Sequence, residues 1–382
     1  MIQLHLGDCL DVLKTMPDNS VHCCVTSPPY WGLRDYGHDA QIGLEDTPEA
    51  YVARMVEVFR EVRRVLREDG TCWLNLGDSY NSVGSGKNPG GFQGALMRKD
   101  MSRNAAYPRH DVKQVFSGLK PKDLVGIPWR VAFALQSDGW WLRQDIIWHK
   151  PNPMPESVTD RCTKSHEYVF LLTKTKQYFY DAEAVKDPAI YAGDNRGARS
   201  DSRRGTKCNS MSGITSMFRN KRSVWTITTK PYSGAHFAVM PTDLVEPCIK
   251  AGTSEKGCCP SCGNPWERVM ENSRVMRHEL PKDNINYRPA RYSRKSGNAD
   301  DYSNGGAQAF SKTTTTGWRS TCTCGGDPVP CTVLDPFSGS GTVGVVSTKL
   351  SRNYIGIELN PKYLALSEER LNGVQINLAL ST

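Results

Sequence analysis

The sequence predicts an α/β protein built on a doubly wound, mostly parallel sheet interrupted by basic and cysteine-bearing inserts. Three observations predict it. Residues 331–371 read strand, glycine-bearing turn, helix, strand, acid, which is the wiring of one half of a nucleotide-binding sheet. At the other end of the chain, short apolar runs at 2–6, 21–27 and 70–78 alternate with amphipathic helical stretches. Between these halves, 141–150 and 167–175 supply two further strand-like segments.

Residues 2–6 form a short strand, and 8–16 a helix whose Leu10, Val12, Leu13 and Met16 roughly follow one face. The strand at 21–27 is apolar through its middle and runs directly into two prolines. A helix follows at 48–67, with Thr47 as N-cap and Pro48 in the first helical position, and it closes before Gly70. After the strand at 70–78, residues 81–121 dissolve into Gly, Ser, Asn and isolated charges, the composition of a long loop or lid. A helix at 123–138 and the strands at 141–150 and 167–175 restore order, 181–222 is irregular and basic, and 236–253 resumes helix. The resulting organisation is 1–180 as one half of the sheet domain, 181–224 as a basic insert, 225–256 as the domain continued, 257–326 as a cysteine-bearing insert and 327–382 as the closing half.

A chain of 382 residues can bury a substantial core, and a net charge of +8 is compatible with a polyanionic partner. The charge is clustered. Arg196, Arg199, Arg203, Arg204, Lys207, Arg219, Lys221 and Arg222 stand against only Asp194 and Asp201, and a second basic segment at 277–295 carries Arg288 and Arg291. Such runs are solvated surface in many proteins, but here they flank motifs that need a polyanion-binding face. The chain opens on an amphipathic segment rather than an export leader and has no apolar run of the ~20 residues a membrane span needs, so a cytoplasmic, nucleoid-associated protein is expected.

Two motifs carry the chemistry. In "VTSPPYW" at 25–31, Pro28 and Pro29 fix φ and remove two donors, so the neighbouring carbonyls are held in a stiff, extended geometry. Tyr30 and Trp31 add flat aromatic surface beside those acceptors, which suits a planar, amino-bearing ligand; the plainer alternative is a proline-rich turn with core aromatics. In "DPFSGSGT" at 335–342, glycines let the backbone approach a ligand, and Glu358 at the tip of the next strand can hold both hydroxyls of a ribose.

Together these stretches resemble the β class of amino-group DNA methyltransferases, which use S-adenosylmethionine to modify adenine N6 or cytosine N4. The resemblance covers roughly 1–80, 123–180, 225–256 and 331–372, and it places the catalytic loop before the cofactor loop. It implies a Rossmann-like sheet in permuted order, with 331–359 beside 21–27. It also implies catalytic roles for Ser27, Pro28, Pro29 and Tyr30. Asp335, Phe337, Gly339, Ser340, Gly341 and Thr342 would surround the methionine end of the cofactor, Glu358 the ribose, and Asp8 with Cys9 the adenine; Asp8 reads equally well as a helix N-cap.

An exocyclic amino group is a poor nucleophile because its lone pair is conjugated into the ring. If Ser27 and the Pro28 carbonyl each accept a hydrogen bond from it, the lone pair is freed for direct, in-line attack on the sulfonium methyl. The base must first leave the duplex and stack on something. Tyr30 is the expected platform, Trp31 and Trp148 are secondary candidates, and Lys150 and Asn152 are expected at the phosphates or base edge. Expected partners are double-stranded DNA and a second copy of the chain, in a restriction-modification setting. Adenine is slightly favoured over cytosine as target; RNA or protein-glutamine methylation, or a non-catalytic DNA-binding regulator, are the alternatives.

Thirteen cysteines, an odd number, argue against a disulfide framework. Cys259-x-x-Cys262 has the spacing of a zinc knuckle, and Cys322-x-Cys324 offers a tighter second pair, so a structural zinc is expected against the alternative of free surface thiols. Cys258 or Cys331 could replace one ligand.

Overall fold

A computed structural model describes residues 1–33, 38, 40–81, 118–189, 215–229, 239–279 and 309–379. Its first half comprises β1 (Ile2–Leu6), α1 (Cys9–Thr15), β2 (Val21–Thr26), α2 (Pro48–Val65), β3 (Leu66–Leu76), α3 (Ile127–Ser137), β4 (Trp141–His149) and β5 (His166–Thr173). Three two-residue strands follow, β6 (Asp187–Pro188), β7 (Thr215–Ser216) and β8 (Phe218–Arg219), then β9 (Val224–Thr226) and α4 (Thr242–Gly252). The remainder is β10 (Glu267–Met276), β11 (Ala309–Arg319), β12 (Thr332–Asp335), α5 (Thr342–Lys349), β13 (Asn353–Glu358) and α6 (Pro361–Ala379).

Capping chemistry places several of these boundaries. The Thr47 hydroxyl accepts from the Ala50 amide at 3.1 Å, and Pro48 opens α2 as expected. That helix ends at Val65, earlier than predicted, because β3 begins at once with Leu66 and buries it. Helix α3 starts at Ile127 rather than 123, since Gly126 takes a left-handed φ of +77° and Pro128 sits in the first turn. Helix α4 begins at Thr242, and the predicted positions 236–238 lie outside the described residues. So does most of the predicted lid at 81–121. The antiparallel β10–β11 ribbon, running from Glu267↔Arg319 to Met276↔Ala309, is an element that alternation in the cysteine-bearing insert does not reveal.

One sheet of eight strands organises the molecule in the order β1-β13-β12-β2-β3-β5-β4-β9. The first five are mutually parallel, β5 runs antiparallel to both neighbours, and β9 is parallel to β4. The expected junction of the chain's two ends forms directly, with Val333 opposite Cys23 and Leu334 opposite Cys24. Alternate residues of each strand face opposite layers. Cys24, Leu74 and Leu334 pack under α1, α2 and α3, while Cys23, Trp73 and Val333 pack under α4, α5 and α6. Because both faces are covered, the central strands read as continuous apolar runs. Among the described residues no helix is long and apolar enough to cross a membrane.

This topology brings chemistry to one rim. The carboxyl ends of β1, β13, β12, β2 and β3 point the same way; β13 and β12 end in Glu358 and Asp335, and Asp8, Ser27 and Gly77 stand just beyond β1, β2 and β3. The antiparallel β5 delivers its opening residues, including Glu167, to that rim, and β4 delivers Lys150.

Candidate active site

Thr26, the last residue of β2, is fully buried, and its hydroxyl donates to Asp335 Oδ1 at 2.7 Å. The Phe337 amide donates to the same oxygen at 3.1 Å. A single carboxylate therefore joins the start of the proline loop to the start of the glycine loop, 309 residues apart in the chain. Burial pushes the Asp335 carboxyl up to about 7; the neighbouring charge of Glu358 adds to this, and the hydrogen bonds from Thr26 and Phe337 oppose it.

The proline loop is stiff, as the sequence implies. The Tyr51 hydroxyl donates to the Pro29 carbonyl at 2.9 Å, and the Gly32 amide to the Gly43 carbonyl at 2.8 Å. Ser27 is half-buried, and among the described residues no donor is bonded to the Pro28 carbonyl. The Tyr30 hydroxyl donates to Glu167 Oε2 at 2.7 Å. Asn75 Nδ2 lies 2.8 Å from the Tyr30 hydroxyl, 3.3 Å from Ser27 Oγ and 3.2 Å from Glu167 Oε2. Lys150 closes the network through an ion pair with Glu167. Burial pushes the Glu167 carboxyl up, but Lys150 and the hydrogen bonds from Tyr30 and Asn75 outweigh it and hold the group below its ordinary value. Gly77 makes room for this arrangement, since a Cβ there would stand 2.5 Å from the Tyr30 ring.

The glycine loop is braced from behind. Gly339 and Gly341 take φ of +52° and +74°, and a Cβ on Gly341 would meet Ser367 Oγ at 2.9 Å. Ser367 Oγ donates to the Gly339 carbonyl at 2.7 Å. Ser340 and Thr342, expected to surround the cofactor, are buried, and their hydroxyls accept from Arg370 at 2.8 and 3.3 Å. Phe337 is half-buried. Glu358 accepts from the Gly339 amide through Oε2 and from the Asn360 amide through Oε1, both at 2.8 Å, and burial pushes its carboxyl up.

Asp8 is the N-cap of α1, with Oδ1 accepting from Leu10 N at 2.8 Å, while Oδ2 lies 3.6 Å from Arg54. Cys9 beside it is buried, and desolvation pushes its thiol up to about 12. The residues expected at DNA divide. Trp31 is a core residue, 3% exposed, its indole N–H donating to the Glu45 carbonyl, so the DNA-contact expectation for it fails. Trp148 is also core, with its N–H on the Ile227 carbonyl. Lys150 serves Glu167 rather than standing free for a phosphate, and Asn152 pairs both amide atoms with the backbone of Thr229. Lys221 lies 3.4 Å from Asp187, Arg219 is half-buried and Arg222 is exposed. Arg196, Arg199, Arg203, Arg204, Lys207, Arg288 and Arg291 lie outside the described residues.

Sequence reasoning missed Asn75, Gly77 and Glu167. Their only signal is position: a polar residue or glycine at the end of an apolar run, on strands that topology carries to the same rim.

The family model for DNA methylase matches residues 21–259 and 331–369. The Type II methyltransferase M.Cfr9I of Citrobacter freundii is 41% identical over 372 residues, covering 97% of this chain and 88% of that protein. M.SmaI of Serratia marcescens is 39% identical, covering 96% and 89%. Among solved structures, the cytosine-N4-specific PvuII DNA methyltransferase matches with a TM-score of 0.51 at 16% identity, covering 98% of this chain and 90% of that one, a likeness of fold. With its two motifs joined at one strand rim, the chain belongs to the DNA methylase family, the S-adenosylmethionine-dependent DNA amino-methyltransferases.

Proposed function

We propose that this protein transfers the methyl group of S-adenosylmethionine to an exocyclic amino nitrogen of a base flipped out of duplex DNA, as the modification enzyme of a Type II restriction-modification pair. The observation that carries the reading is the Thr26 to Asp335 hydrogen bond, which holds the starts of the acceptor loop and the glycine loop side by side at one rim of the sheet. The relatives that match along nearly the whole chain are named Type II methyltransferases.

In this reading Ser27 Oγ and the Pro28 carbonyl accept the two N–H bonds of the amino group. The nitrogen loses conjugation with the ring, and its lone pair attacks the methyl carbon in line as the carbon–sulfur bond breaks. S-adenosylhomocysteine leaves as a neutral thioether, and the surplus proton departs from the methylated nitrogen. Catalysis is then mostly positioning and fixed dipoles. Tyr30 is oriented by Glu167 and Asn75 and supplies the stacking ring, while Glu358 takes the ribose hydroxyls. Glu167 is held anionic by Lys150, which keeps the network's acceptor fixed during the reaction.

Adenine and cytosine both present an amino group beside a ring nitrogen acceptor, so the chemistry accommodates either. Incubating duplex DNA with isotopically labelled cofactor, digesting to nucleosides and weighing them tests the proposal and identifies the base. Label in N6-methyladenine or N4-methylcytosine is expected; label in 5-methylcytosine, or only in RNA or protein acceptors, would overturn it.

A further inference from the structure

Four thiols from two distant segments converge at the open end of the β10–β11 ribbon. The sulfurs of Cys259, Cys262, Cys322 and Cys324 all lie within 4.8 Å of one another, and each of these cysteines is free of disulfide. Thiolates around one tetrahedral zinc at about 2.3 Å stand about 3.8 Å from each other, so small side-chain rotations close this set on an ion.

The backbone is already shaped for it. In the turn at 259–264 the Gly263 amide donates to the Cys259 carbonyl and the Cys259 amide to the Asn264 carbonyl, both at 2.9 Å, with Gly263 at a φ of +71°. The second pair is held against the first: Thr321 Oγ1 donates to the Pro265 carbonyl at 2.7 Å, and a Cβ on Gly326 would lie 3.3 Å from the Pro260 ring. A second cluster of His22, Cys258 and Cys331 is equally tight, but it offers three ligands. Both its imidazole nitrogens are engaged, Nδ1 accepting from Thr332 N at 3.1 Å and Nε2 lying 3.0 Å from the Gly263 carbonyl.

We propose that Cys259, Cys262, Cys322 and Cys324 bind one Zn²⁺ as four thiolates, and that this ion clamps the base of the ribbon. The site is structural, since a four-thiolate shell leaves no open position for substrate. Glu267 and Arg319 pair immediately beyond the two cysteine pairs, so the ion closes the excursion between them into a loop of fixed origin. The knuckle also docks on the catalytic sheet. His22 of β2 holds the Gly263 carbonyl, and Arg67 of β3 donates to the Cys262 carbonyl at 2.6 Å and to Asn264 Oδ1 at 2.9 Å. The ion thereby sets where the ribbon leaves the two strands whose far ends carry Ser27 and Asn75. The DNA methylase family model stops at 259 and resumes at 331, so the ribbon and three of the four ligands lie outside it.

Full-length protein purified under reducing conditions without chelator should contain about one zinc per chain by mass spectrometry of the metal. Cobalt substitution should give the absorption of a tetrahedral thiolate centre. The double variant Cys322→Ser/Cys324→Ser should lose the metal and be cleaved faster by protease within 267–319, while keeping cofactor affinity within about twofold; Cys162→Ser, at an exposed cysteine apart from the cluster, should keep the zinc. If wild type holds no zinc and takes up none when Zn²⁺ is added to the reduced chain, the proposal fails. It fails also if the double variant retains a full equivalent, which would move the ion to other thiols. Should the double variant not fold, the cobalt spectrum of the wild-type chain decides: an octahedral or absent signature overturns the assignment.

Discussion

Ser27 stands one residue beyond a buried threonine and is half-buried itself, with its Oγ 3.3 Å from Asn75 Nδ2. Replacing it with alanine removes one of two proposed acceptors without disturbing the strand. Ser27→Ala should lower turnover by about a hundredfold, the scale of losing one preorganised dipole, with DNA affinity changed far less. Single-turnover kinetics alongside equilibrium DNA binding would separate the two effects, and full turnover in the variant would remove Ser27 from the mechanism. Glu358 should behave differently. Its carboxylate faces the glycine loop through charge-assisted hydrogen bonds worth about 1.5–3 kcal/mol each, so Glu358→Ala should weaken cofactor binding roughly ten- to a hundredfold in a calorimetric titration. Gly77→Ala probes Tyr30 in the same spirit: a methyl 2.5 Å from the ring must displace it from Glu167, and turnover should fall while cofactor affinity holds.

At the scale of elements, the site exists because β2 and β12 are adjacent parallel strands ending together, and Asp335 is the polar group buried between them. Its carboxyl is raised to about 7 by burial, so the folded state favours the protonated acid more than the unfolded chain does. Stability from this residue is therefore fully present below about pH 4 and is lost as pH rises through 7. Asn at 335 keeps an oxygen for the Thr26 hydroxyl and the Phe337 amide but carries no charge. The Asp335→Asn variant should melt with wild type at about pH 3.5 and above it at pH 8. A cationic cofactor pulls the same group toward ionisation, so cofactor binding in wild type should release a proton near pH 7 and tighten as pH rises. Titrations in two buffers of different ionisation enthalpy would detect that release; an apparent enthalpy for wild type that is the same in both buffers would count against it.

For the whole molecule, the eight-stranded sheet carries the entire candidate site, and the β10–β11 ribbon is tied to the rest of the domain through the knuckle at 259–264 and through the ion pairs of Arg268 with Asp181 and Glu255. Since Glu267 pairs with Arg319 and Arg268 with Trp318, replacing 270–315 with a short Gly-Ser link should leave the sheet and the Arg268–Asp181 ion pair intact. Cofactor affinity should stay within about twofold of wild type, and sequence-specific DNA affinity should fall steeply if the ribbon reads DNA. A truncated chain that still methylates its site with unaltered specificity would assign recognition elsewhere. Binding should also weaken with salt, since a chain of net charge +8 meets phosphates by displacing counterions.

The sequence by itself determined the elements whose physics is local. Apolar runs such as 21–27, the Thr47-Pro48 cap and the glycine turn at 335–342 depend on neighbours within a few residues, so their strands, helix start and loop were legible. It also named Glu358, because an acid at the tip of the strand after a glycine turn leaves its mark in a single segment, while Ser27 and Asp335 were named through the family resemblance that their motifs carry. Tertiary structure alone decided which of these groups meet, and which apparent candidates are core. Trp31 and Trp148 look identical in sequence to a stacking platform, yet Trp31 is buried in the core that α2 covers and Trp148 in the core on the opposite face of the sheet, with Trp225 and α4. Asn75 and Glu167 acquire a role only because β3 and β5 are antiparallel neighbours that deliver them to Tyr30. A hydrogen bond spanning 309 residues, like that from Thr26 to Asp335, has no signature along the chain, because the sheet register that makes it is fixed by burial summed over the whole fold.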